Sequence, residues 1–136
     1  MSSTMGAWVA SAFENDDALD WVSHLEDGAV DLVRASLAAT KVDYLESPDG
    51  SVAIAAAEVV AAAVGNPAAS LPASVTRWVD AHGASVADAD VVLALVALDR
   101  VTAENSELAE LWAESDDHKW SQSVEDLRNR LSTAAK

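Results

Sequence analysis

The chain contains no cysteine. That removes disulfide staples, thiolate nucleophiles and cysteine-ligated metals from its chemistry. With 5 glycines and 3 prolines, it holds no stretch rich enough in either to act as a linker between domains. Cations are scarce: 8 Lys and Arg stand against 23 Asp and Glu, a formal charge of −15. A surface of that sign repels nucleic-acid phosphates and the anionic headgroups of a membrane. No apolar run approaches the roughly 20 residues of a membrane span. The longest, Val52–Val64, is interrupted by Glu58. Met1–Ala12 lacks both the Lys or Arg and the long apolar run of a secretory signal, so a cytoplasmic location is expected.

What remains is abundant in small apolar residues. Hydrophobic residues make up 51% of the chain, yet aromatics only 5%, five of them Trp. Alanine has the highest helix propensity, and small side chains let helices pack closely. A chain of 136 residues can bury about two-thirds of its unfolded surface without a metal or a disulfide. These properties predict an all-α fold: one helical domain over 1–136, a compact bundle of six to seven short helices with two central helices buried. Residues 1–4 are expected to be a disordered extension.

Local signals place the helices. Asn15 is a suitable N-cap, followed by Asp16 and Asp17 where the helix dipole favours anions. Ala18, Trp21, Val22 and Leu25 then form an i, i+3, i+4, i+7 stripe. A second helix is expected from Ala29 to Lys41, ahead of a turn at Ser47-Pro48-Asp49-Gly50. The third, Val52–Val64, is apolar nearly all round and so central; Gly65 fits its C′ position, and Asn66-Pro67 forbids continuation. The fourth starts near Pro72 and stops at Gly83. The fifth follows a capping-box pattern, Ser85-x-x-Asp88, through the apolar run Val91–Leu98 to about Ala103. The sixth opens at Asn105 or Ser106 and the seventh covers Trp120–Ala134. Lys41–Leu45 is the one weak strand candidate.

Catalytic signatures are missing. There is no Gly-x-Ser-x-Gly elbow, phosphate-binding glycine loop, His-Glu-x-x-His pair or calcium loop. His82 and His118 have no nucleophile beside them in sequence, and Arg128 with Arg130 is too small a group for a nucleic-acid patch. The densest polar group is Asp16, Asp17, Asp20 and His24. Asp20 and His24, four apart, share a helix face and are weak metal-ligand candidates; capping and a solvated face explain them as well. Glu58 is the most informative residue, a carboxylate among apolar neighbours that must be paired or protonated. Arg77, Arg100, a Trp indole N–H and backbone N–H groups of the N-terminal segment are the partners considered. Glu58 then either fastens a segment to the core or acts as a general acid or base. Trp21, Trp78 and Trp112 lie on apolar stripes and belong to the core, while Trp8 either plugs the core or anchors a partner.

Met5-Gly6-Ala7-Trp8, then Phe13-Glu14-Asn15-Asp16, Ala18 and Asp20-Trp21, resembles the opening of a bacterial family catalogued as domain of unknown function 4259. Tyr44-Leu45-Glu46, Ala55–Ala62, Leu71-Pro72 and Asn105–Trp112 extend the resemblance over nearly the whole chain after Met5. Val9 and Ser11 stand where the family has glycines, so a glycine-dependent loop there is in doubt. The resemblance implies a small helical domain and brings no established activity with it. The first functional expectation is a non-enzymatic accessory or protein-interaction domain, one that neutralises a basic protein partner. Its candidate interaction or structural residues are Trp8, Phe13, Glu14, Asn15, Asp16, Asp20, Trp21, Glu58 and Arg100. The second is a metal-binding protein or hydrolase-like enzyme using Asp16, Asp20 and His24. No cofactor is expected. The oligomeric state is open, and self-association through the apolar helices is a third reading.

Overall fold

The computed structural model describes residues 16–25, 30–68, 71–114 and 119–134. Within them lie seven α-helices: α1 (Asp16–Leu25), α2 (Val30–Ala38), α3 (Ser47–Ala63), α4 (Ala73–His82), α5 (Asp88–Val101), α6 (Glu107–Ala113) and α7 (Lys119–Ala134). No strand occurs among the described residues; the candidate at Lys41–Leu45 is reduced to one parallel bridge between Leu45 and Ser106. The fold is an all-α bundle.

Helix α3 is the axis. It packs against each of the other six helices, and Ala53, Ile54, Ala55, Ala56, Ala57, Val59, Val60 and Ala61 are all buried. Its many methyl side chains explain why: small residues on every face let surrounding helices approach closely on all sides. The outer helices are amphipathic and turn one stripe inward. That stripe is Ala18, Trp21, Val22 and Leu25 in α1 and Val124, Leu127 and Leu131 in α7. The second central helix, α5, buries Val91, Ala94, Ala97, Leu98 and Val101 against α3. Its opposite side leaves Val92 and Val96 exposed, at 55% and 47%.

Two helix starts differ from the sequence expectation, and α2 stops at Ala38 rather than Lys41. The expected turn at Ser47–Gly50 is instead the first turn of α3. Proline is tolerated there because the first-turn N–H groups have no intrahelical partner to lose. Gly50 is buried, and a Cβ at that position would meet Leu108 at 3.5 Å and Leu45 at 3.9 Å. The start of α5 also shifts. Gly83–Ser85 forms a single 3-10 turn, and the carboxylate that reaches back is Asp90, accepting from the Ala87 N–H at 2.8 Å. Only the reciprocal half of a capping box forms, with Asp90 in place of Asp88, because the N-cap residue Ala87 has no side-chain acceptor.

The stop of α3 is where the sequence placed it. Gly65 has φ +95°; its N–H donates to the Ala62 carbonyl at 3.1 Å, and the Asn66 N–H to that of Ala61 at 2.8 Å. This is the Schellman arrangement with Gly65 at C′. An added Cβ there would touch nothing within 4 Å, so any penalty is purely backbone. Gly65→Ala is expected to cost about 1–2 kcal/mol, the left-handed penalty of an L-residue. Urea denaturation measures it, and an unchanged midpoint would contradict it.

Candidate functional site

Glu58 is buried, as its neighbours in sequence require, with 3% exposure. Its partner is none of those considered from sequence. Arg130 of α7 grips it in a fork: Nη1 donates to Oε1 and Nη2 to Oε2, each at 2.9 Å. The same guanidinium donates to Asp126 at 2.8 Å and to the Asn66 carbonyl at 3.2 Å. Asn66 Nδ2 returns a bond to the Arg130 carbonyl at 3.0 Å. The Glu58 hydrogen bond is the main reason the Arg130 pKa is raised above its ordinary value. The correction has a simple cause. Residue 130 is 72 positions away, and only the docking of α7 on α3 brings it in. The arrangement fastens the last helix to the core, because both carboxylate oxygens are occupied by one planar cation.

Arg100, expected as a partner of Glu58, does something else. It donates to the carbonyls of Val42, Asp43, Glu104 and Asn105 at 2.9–3.3 Å. Those bonds tie the 42–46 segment to the turn after α5. The Leu45 N–H donates to the Asn105 carbonyl and the Glu107 N–H to that of Leu45, both at 2.8 Å. Asn105 takes φ +62° there, a conformation Asn tolerates better than most residues. Ser106, fully buried, caps α6 by accepting from the Ala109 N–H. Glu107 crosses to α3 and accepts from the Ser47 N–H at 2.8 Å, supplying the N-terminal partner that α3 lacks from its own cap residue.

A second buried carboxylate, Asp90, was not singled out in the sequence, where the helix-start acid named was Asp88. Arg34 of α2 donates to it through Nε at 2.6 Å and Nη2 at 2.9 Å. The Arg34 hydrogen bond is the largest influence on Asp90 and holds its carboxyl below the usual carboxylate range, against the opposing effect of burial. The flag missed in the sequence is the i+3 offset from Ala87, which makes Asp90 the N3 residue of the helix.

The Asp16, Asp20 and His24 group lies on the outer face of α1, all three side chains exposed. His24 Nδ1 donates to the Asp20 backbone carbonyl at 2.9 Å, so one ring nitrogen is already spent on a helix turn. Among the described residues no group of three or more His, Asp or Glu side chains is arranged to hold a metal ion. Trp21 is buried, and its indole Nε1 donates to Ser36 Oγ at 2.8 Å. Trp78 is buried too. Trp112 is only partly so and stacks on Trp120, rings 5.9 Å apart and nearly parallel. Trp8, Phe13, Glu14, Asn15 and His118 lie outside the described residues.

On the face carrying the 42–46 segment and α6, Tyr44 and Leu111 are exposed by 44% and 46%. Tyr44 Oη donates to Glu110 Oε1 at 3.0 Å. Partial burial, then the Glu110 bond and the charges of Glu110, Glu107 and Glu46, push the phenol above its usual pKa. No described helix is long and apolar enough to cross a membrane. The model of a family described as "Domain of unknown function (DUF4259)" matches residues 6–123. No curated protein and no solved structure matches the chain.

Proposed function

Because the chain belongs to the family described as domain of unknown function 4259, we propose its function from its own residues: a non-enzymatic accessory domain, one unit over 1–136, that binds a basic protein partner in the cytoplasm. The observation that carries this reading is charge. The excess of 23 acidic over 8 basic residues lies largely outward, on Asp16, Asp17, Asp20, Glu46, Glu104, Glu110 and their neighbours. Of the cations, Arg34 and Arg130 are held by the buried carboxylates Asp90 and Glu58, and Arg100 is turned onto backbone carbonyls. An acidic exterior steers a basic partner into encounter over about a Debye length, roughly 8–10 Å, and the attraction fades with salt. The two buried carboxylates are each closed off by an arginine, an arrangement that suits holding helices together.

A pull-down with the purified domain at low and at high salt tests this. A basic protein retained at low salt and released at high salt is the expected result. Recovery of no basic partner at low salt would overturn the reading.

A further inference from the structure

We infer that the ledge formed by Tyr44, Glu46, Glu110 and Leu111 is a docking surface for an arginine-bearing amphipathic segment of a protein partner, an inference that rests on the domain's being a binder of basic protein. The ledge is built from two stretches some sixty positions apart, joined by the Leu45–Ser106 bridge and by the four Arg100 bonds to carbonyls. It is therefore held in shape before a partner arrives, which lowers the ordering cost of binding.

Its chemistry selects the occupant. The half-exposed Tyr44 phenol is bonded to Glu110, and the half-exposed Leu111 follows Glu110 in α6. Tyr and Leu at this exposure offer apolar area, and Tyr is enriched among the residues that dominate interface energy. The Glu110, Glu107 and Glu46 charges all act on the Tyr44 phenol, so any group covering the ring enters a strongly negative field. Glu107 is already engaged at the start of α3, which leaves Glu46 and Glu110 to meet a ligand. A second copy of a chain with formal charge −15 is repelled there, as is an acidic peptide. A guanidinium suits the place best. It is planar, forks onto carboxylates and stacks on an aromatic face. Apolar residues between the arginines would cover Leu111.

The probe is a short synthetic peptide alternating arginine and leucine, with binding to the full chain followed by fluorescence anisotropy at low salt. Tyr44→Ala combined with Glu110→Gln is expected to weaken binding at least about tenfold, the scale of a hot-spot loss. Glu125→Gln, which removes an exposed charge from α7, should change it by less than about twofold, as expected of one distant surface charge. Tyr44→Phe, which keeps the ring, should bind within a few-fold of the parent, and a parent-like urea midpoint for the double variant separates lost binding from a folding defect. Equal binding by the double variant and the parent would overturn the ledge while leaving the basic-partner reading standing. No binding by the parent chain would overturn the ledge as well, and the pull-down above would then decide the broader reading separately.

Discussion

Replacing Arg130 with alanine is expected to destabilise the protein by about 3–5 kcal/mol, the cost of stranding a buried charge whose partner is removed. Glu58 sits at 3% exposure on the central helix and receives both of its short bonds from this one side chain. Without the guanidinium the carboxylate must be desolvated alone or the α3–α7 contact must open to water. Glu58→Ala should cost a similar amount, because it leaves Arg130 with only Asp126 and the Asn66 carbonyl. The double variant Glu58→Leu with Arg130→Met should cost far less than the sum, since apolar side chains of similar size replace a buried pair nearly neutrally. Urea denaturation of the four proteins compares these costs. A wild-type midpoint for Arg130→Ala would remove the pair from the account of stability.

Asp90→Ala should cost about 2–3 kcal/mol, the range for hydrogen bonds to a charged group together with loss of a helix cap. The estimate stays below that for Arg130 because Arg34 is 40% exposed at its side chain and can recover water. The pair also predicts a pH dependence. Asp90 has its folded pKa lowered, first by the Arg34 hydrogen bond. Its contribution is therefore fully present above the unfolded value of about 3.9 and is lost as pH falls through the lower folded value. Asp90→Asn cannot titrate. The stability gap between wild type and Asp90→Asn should be widest near neutrality and narrow below about pH 4. Denaturation midpoints across that acid range check it; a gap constant with pH would show that Asp90 is not held ionised by Arg34.

Much of the fold could be read from local pattern. The α1 stripe Ala18, Trp21, Val22, Leu25 is the buried set observed, because a 3.6-residue period with one apolar side leaves a helix no other way to lie. Gly65 took its C′ position for an equally local reason, the positive φ that ends α3. The same localness explains the errors. Ser-Pro-Asp-Gly carries turn chemistry, and nothing nearby says that Leu108 and Leu45 will pack on Gly50 or that Glu107 will cap the first turn from another helix. The functional candidates divided likewise. Glu58 was legible as a buried carboxylate because an acid amid alanines and valines must find a partner or a proton. Which arginine paired with it was not legible.

The sequence by itself determined the acidic character, the helical class and the need for Glu58 to be paired or protonated, since charge, propensity and burial are set by residue type and near neighbours. Only the tertiary structure decided that Arg130 is that partner, that Asp90 is a second buried carboxylate held by Arg34, and that Tyr44 meets Glu110. Each of those pairings joins residues more than fifty positions apart, and their approach depends on how seven helices dock around one axis, which no local pattern encodes.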